Sequence, residues 1–168
     1  TQGYSSAASD VYKIQAKPLF DYAPYMEYLN GSPGDYFFDE PYAYSTGQSI
    51  NDADRKYQGM ITLRKGLIGS RNVTALQAFQ KVAAKDQSLI ENFVHSVGIN
   101  YGSALYESAS IGGFNGTNPL EMSAAYAVFG RGGYYIKPYS FTKVIFEDGT
   151  TYENKYTKEK VISEETSY

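Results

Sequence analysis

The chain has 168 residues, with 15 Lys and Arg against 18 Asp and Glu for a net charge of −3. That length fits one domain and is short for two, and with no Lys/Arg stripe to release counterions nucleic acid is not an expected partner. No Cys and one His exclude disulfides, thiolate catalysis and the usual zinc sets, so neither a metal nor another cofactor is expected, and no apolar run approaches the ~18 residues of a membrane span.

Leu, Ile, Val and Phe make up roughly a fifth of the chain, near the limit below which charged chains stay disordered. The 18 tyrosines must therefore supply much of the core, with their hydroxyls at its rim or in clefts.

Residues 1 to 12 are small and polar, the composition of a loop or frayed terminus. Pro18 suits the first position of a helix that runs to about Leu29 and stops at Gly31, with Leu19, Tyr22, Met26 and Leu29 near one face and Pro24 as an internal weakness. From Gly31 to Gly59 the chain is rich in Gly, Pro, Ser, Asp and Tyr and reads as a long irregular connection, which in a small domain is usually functional. Thr62 can cap a short helix to about Ser70. A second helix is expected from about Val73 to Ala84, and a third begins at a cap on Asp86 and carries the stripe Leu89, Ile90, Phe93, Val94 and Val97 up to Gly98.

After a Gly/Ser-rich loop, Asn118-Pro119-Leu120-Glu121 has the order of a capping box for a helix to about Phe129. The stretch 130–135 breaks that helix. Tyr139 to Phe146 alternates as a strand and turns at Asp148-Gly149 into a second strand near Thr151 to Tyr156.

Ser70-Arg71-Asn72 falls between two helices, where a hydroxyl and an amide two residues apart can face one cleft. Such a pair can relay a proton and orient a carbonyl in acyl transfer; from spacing alone, an Asn or Ser capping the second helix is the ordinary explanation of so common a triplet. Ser140-Phe141-Thr142-Lys143 fits S-x-x-K by letter, but in an alternating strand Ser140 and Lys143 point to opposite faces. His95 lies beside an apolar stripe with no partner ligand, as a structural or surface histidine does. Tyr134, Tyr135, Tyr36, Tyr42 and Tyr44 could stack on sugar rings or pack at a rim. Gly112-Gly113 and Gly132-Gly133 are turn residues without a phosphate-binding pattern.

Taken together, several stretches resemble the transpeptidase domain of class A penicillin-binding proteins. They are Lys17-Pro18-Leu19-Phe20-Asp21-Tyr22-Ala23-Pro24, Asp39-Glu40-Pro41-Tyr42, Asp54-Arg55-Lys56-Tyr57-Gln58-Gly59, Thr62-Leu63-Arg64-Lys65 through Ser70-Arg71-Asn72-Val73, Pro119 through Tyr126, and residues 132–149. The family lines one cleft with S-x-x-K, S-x-N and K-T-G. The resemblance maps Ser70 and Asn72 onto S-x-N, and Lys17 onto the lysine that takes the proton of the nucleophilic hydroxyl. The nucleophile's own position is Ile14, which has no group able to attack a carbonyl. Ser5, Ser6 and Ser9 lie at least eight residues before Lys17, beyond one-turn geometry.

The resemblance implies an α/β fold of the mixed α+β kind, that of penicillin-binding proteins and serine β-lactamases. It is expected to be incomplete over 1–168: mostly the helical part plus one hairpin, with 1–16 atypical or disordered and the K-T-G strand beyond 168. The function implied is that of a fragment of a peptidoglycan D,D-transpeptidase, inactive as this chain, with Lys17, Ser70 and Asn72 as catalytic residues. The implied partners are the D-Ala-D-Ala stem peptide and β-lactams. A glycosyltransferase domain and membrane anchor are expected upstream, placing the parent protein on the outer face of the cell membrane. The alternative is a non-catalytic module that binds or scaffolds the cell wall.

Overall fold

The computed structural model describes residues 15–102 and 104–168. Residues 15–17 are already helical, so Pro18 does not open the helix. A π-helical turn, Pro18–Tyr22, leads straight into α1 (Ala23–Leu29). The wide turn falls just before Pro24, which has no N–H to donate and whose ring would meet the Phe20 carbonyl in a regular α turn. Of the stretch 1–16, expected to be irregular, Gln15 and Ala16 are helical and Ala16 is buried; residues 1–14, Ile14 included, lie outside the described residues. The helix stops one residue earlier than Gly31, at Asn30, which takes the left-handed conformation with φ 52°.

The segment expected to be one irregular connection contains strands. β1 (Tyr36–Asp39), β2 (Tyr42–Ala43), β3 (Ser49–Ile50) and β4 (Gly59–Thr62) form two antiparallel pairs, β1 with β4 and β2 with β3. In the first, Phe37 faces Ile61, and both are buried while Tyr36, Phe38 and Met60 point outward. The two-residue period is present in Tyr-Phe-Phe-Asp but is masked, because its outward residues are also aromatic.

Thr62 caps α2 (Leu63–Ile68) as expected, accepting from the Lys65 N–H. The two helices expected next form one rod, α3 (Asn72–Ser96), broken in direction at Asp86, whose backbone is extended at φ −170°. The Asp86 carboxylate accepts from the Ser88 N–H at 2.9 Å, so it does cap a helical turn, within a kinked rod. A 3-10 turn (Glu107–Ile111) precedes α4 (Pro119–Gly130). Asn118 caps α4 through the Glu121 N–H at 3.0 Å, but the Glu121 carboxylate accepts instead from the Asn100 N–H and Thr117 Oγ1, each at 3.3 Å. The reciprocal half of the capping box is replaced by a longer-range tie.

β5 (Tyr134–Ile136) begins within the stretch expected only to break the helix, and pairs with β8 (Lys158–Lys160). Between them runs the hairpin of β6 (Lys143–Ile145) and β7 (Thr151–Glu153), turning at Asp148-Gly149; both strands are shorter than their sequence pattern. A final helix, α5 (Glu164–Ser167), is tied to α1: Ser163 donates to the Glu27 carboxylate from its N–H at 3.0 Å and its hydroxyl at 2.8 Å.

The apolar interior centres on α3. Phe79, Val82, Ile90, Phe93 and Val94 pack with Leu19, Phe20, Met122, Val128 and Ile162. A second cluster joins Ala75 and Ala78 to Tyr22, Phe37 and Leu63, and a third joins Val73 and Leu76 to Ile50. The 31–59 segment is therefore held to α3 by Phe37 and Ile50. Tyrosines do sit at the rim with their hydroxyls satisfied: Tyr25 donates to Asp35, Tyr42 to Gln80 and Tyr126 to the Gln15 carbonyl, at 2.9, 2.7 and 2.9 Å. Tyr22, by contrast, is buried, and its hydroxyl bonds Thr74 Oγ1 at 3.1 Å.

Candidate active site

Lys17 is 2 % exposed, a position lysine occupies only when its ammonium finds acceptors. It finds three: the Ser70 carbonyl, Ser70 Oγ at 2.9 Å and Asn72 Oδ1 at 2.8 Å. Burial pushes the amine down from about 10.5 to about 8, while the charge of Asp52, and that of Asp21 in its ionised form, pull it back up. A lysine near the solution pH in this way can exchange a proton with a neighbouring hydroxyl.

Ser70 reaches the amine because its backbone turns left. Its φ of 50° is a conformation that costs a non-glycine residue about 1–2 kcal/mol. The turn is held by the Ser70 N–H on the Leu67 carbonyl at 3.0 Å and the Arg71 N–H on the Gly66 carbonyl at 2.8 Å. It aims both the carbonyl and the hydroxyl of Ser70 at Lys17. Asn72 is fixed from its other side, since its Nδ2 donates to the Asn51 carbonyl at 2.8 Å, which leaves Oδ1 for Lys17.

Neither Ser70 nor Asn72 caps α3 with its side chain. Asp52 does so from the loop after β3, accepting from the Asn72 N–H and, at 3.4 Å, from the Val73 N–H. Its other oxygen lies 3.0 Å from Arg71 Nη2. Burial pushes the Asp52 carboxyl up, and the neighbouring Asp39 adds to this, against the Asn72 N–H and Arg71.

Arg71 is buried and gathers two segments. Its Nε lies 2.9 Å from Asp39 at the end of β1, its Nη1 is 3.0 Å from both oxygens of Asp54, and its Nη2 donates to the Lys56 carbonyl. The middle residue of the triplet thus turns away from the amine and secures the loop that supports Asn72. The roles of Asn51, Asp52 and Arg71 are not legible in the sequence, because their partners lie 15 or more residues along the chain; the spacing of Asp21, four residues after Lys17, is the one local sign of a further group nearby.

The remaining candidates lie apart. Lys143 faces Glu153 at 3.8 Å on the hairpin, and Ser140 is exposed outside any strand. His95 is exposed and rests on the Tyr101 ring, with centroids 4.6 Å apart. The Tyr134 face is taken by the Lys158 and Lys160 ammonium groups at 4.0 and 4.7 Å. Tyr36 is exposed, whereas Tyr42, Tyr44 and Tyr135 are half-buried. Gly112, Gly132 and Gly133 all have positive φ, as turn glycines do.

Comparison with known proteins gives one answer. The family model described as the penicillin binding protein transpeptidase domain matches residues 28–168. Penicillin-binding protein 1A/1B of Bacillus subtilis is 37 % identical over 156 residues, covering 90 % of this chain and 17 % of that protein. Penicillin-binding protein 1A of Streptococcus pneumoniae is 36 % identical over 160 residues, covering 90 % and 22 %. This chain therefore spans about a fifth of the length of those relatives. Among solved structures, penicillin-binding protein 1A from Haemophilus influenzae matches at a TM-score of 0.64 and 26 % identity, covering 89 % of this chain and 22 % of that one. A peptidoglycan synthetase from Bifidobacterium adolescentis shares the fold at a TM-score of 0.76 and 17 % identity, covering 91 % and 32 %. No helix among the described residues is long and apolar enough to cross a membrane.

Proposed function

The chain belongs to the penicillin-binding protein transpeptidase family, and from that premise we propose that it is part of a peptidoglycan D,D-transpeptidase domain whose proton-handling residues are Lys17, Ser70 and Asn72. The observation that carries this reading is the convergence of one buried amine on a hydroxyl and an amide carbonyl more than fifty residues away.

In the complete enzyme the serine of S-x-x-K attacks the carbonyl carbon between the two D-alanines of a stem peptide, and its proton passes to the Lys17 amine. The departing D-alanine takes a proton relayed through Ser70, leaving an ester on the serine. An amine of a neighbouring stem peptide attacks that ester and releases the serine. Asn72 holds the lysine and orients the substrate amide. β-Lactams acylate the same serine and stop there. The parent protein, with its membrane anchor and glycosyltransferase domain upstream, works on the outer face of the cell membrane.

Ile14 stands at the serine's position, so this chain does not form the ester. The same residue favours a second reading, a non-catalytic module that binds or scaffolds the cell wall. Incubation with a fluorescent penicillin followed by denaturing electrophoresis separates the two: a covalently labelled full-length parent supports the transpeptidase, and a folded parent without label supports the scaffold. The 168-residue chain itself remains unlabelled in either case, and a labelled band from it would refute the placement of Ile14.

A further inference from the structure

The relay of Lys17, Ser70 and Asn72 leaves one buried ionisable group without a task. Asp21 follows Lys17 by four residues, across the π-helical turn Pro18–Tyr22. It is 0 % exposed, and neither of its carboxyl oxygens meets a hydrogen-bond donor among the described residues. The Lys17 ammonium does not serve it, because its three protons go to the Ser70 carbonyl, Ser70 Oγ and Asn72 Oδ1. The other charged groups acting on Lys17 are Asp52 and Arg71, and these face each other at 3.0 Å.

An ionised carboxylate so placed has given up its hydration for no donor in return. A carboxylic acid in the same place has no charge to desolvate. We infer that Asp21 holds a proton at neutral pH and acts as a positioning residue for Lys17, leaving the amine with a neutral acid four residues on in place of a counter-anion. An ammonium with no counter-anion there is not locked in its charged form, so the amine is available to take the proton of a hydroxyl. Burial pushes Asp21 far above the carboxylate range against the pull of Lys17, in the same direction. The benefit to catalysis rests on Lys17 being the base; the protonation state of Asp21 does not.

Infrared spectroscopy of the full chain reads that state directly, because the carbonyl stretch of a carboxylic acid is separate from that of a carboxylate. At pH 7 a carboxylic-acid band is expected that disappears in Asp21→Asn. In the same variant the midpoint of Lys17, followed by NMR at its ε-carbon, is expected to stay within about threefold in proton affinity, since one neutral group replaces another. If no band is lost, or if Lys17 loses tenfold or more in proton affinity, a carboxylate was present and the proposal fails. Should Asp21→Asn not fold, Asp21→Glu serves instead: the band shifts if this residue carries the proton and stays in place if it does not. Penicillin labelling of the parent is a separate readout, so failure here and failure of the transpeptidase reading are distinguishable.

Discussion

Lys17 donates to Ser70 Oγ across 2.9 Å in space and 53 residues of sequence. The contact is made possible by a serine backbone that turns left at φ 50° and by an amine shielded from water.

Lys17 should make stability rise with pH on the alkaline side. Its folded value is about 8 against about 10.5 in the unfolded chain, so between those values the unfolded chain binds the extra proton and unfolding becomes harder as pH increases. Below about 8 both states carry the charge and the burial penalty is fully present. A drop of that size corresponds to about 3 kcal/mol. In an Asp21→Asn background, which removes the opposing loss of stability that a buried neutral acid brings as pH rises, urea unfolding between about pH 8 and 9.5, before buried tyrosines enter, should show the rise with Lys17 present and a flat profile in Lys17→Met.

Asn72→Asp should return the lysine toward its ordinary value. The new carboxylate keeps the acceptor for Lys17 and loses the donor to the Asn51 carbonyl. An anion in direct contact raises an amine by about one unit or more. NMR titration of Lys17 in the variant should read that increase; an unchanged midpoint would mean the side chain has left the amine.

Arg71→Ala should be among the most damaging single changes outside the apolar core. It strips the counter-charge from Asp39 and Asp52, both buried, and breaking a buried pair in this way costs about 3–5 kcal/mol. Arg71→Lys cannot fork to three partners and should recover less than half of that loss. Adding Asp39→Asn to Arg71→Ala should restore stability relative to Arg71→Ala alone, as read by the urea midpoint.

Gly133→Ala should detach the C-terminal segment from β5. Gly133 has φ +90°, and a Cβ there would run into the Ile162 carbonyl. The Gly133 carbonyl also accepts the Val161 and Ile162 N–H groups at 2.9 and 3.3 Å. Strain of this kind costs about 1–3 kcal/mol, and amide exchange should accelerate at Val161 and Ile162 while α3 stays protected.

Much of the helical scaffold was legible from local chemistry. Thr62, Asp86 and Asn118 cap where their side chains predict, because a cap needs only the next two or three residues. The Asp148-Gly149 turn was legible for the same reason. The strands from Tyr36 to Thr62 were not: the outward aromatics of β1 hide its alternation and its pairing with β4 joins residues 20 or more positions apart, while β2 and β3 are only two residues each. Pro18 misled as a helix opener, because the chain is already helical at Gln15 and Pro18 only begins the π turn that follows.

By itself the sequence determined the resemblance to the family, where several helices begin and that Ile stands at position 14. Only the tertiary structure decided that Lys17 meets Ser70 and Asn72, that Asp52 rather than a neighbour caps α3, that Arg71 binds three aspartates and that Asp21 is buried without a donor. The division follows from range. Caps and turns are closed by residues within a few positions, whereas desolvation and ion pairing depend on segments brought together only when Phe37 and Ile50 bury against α3.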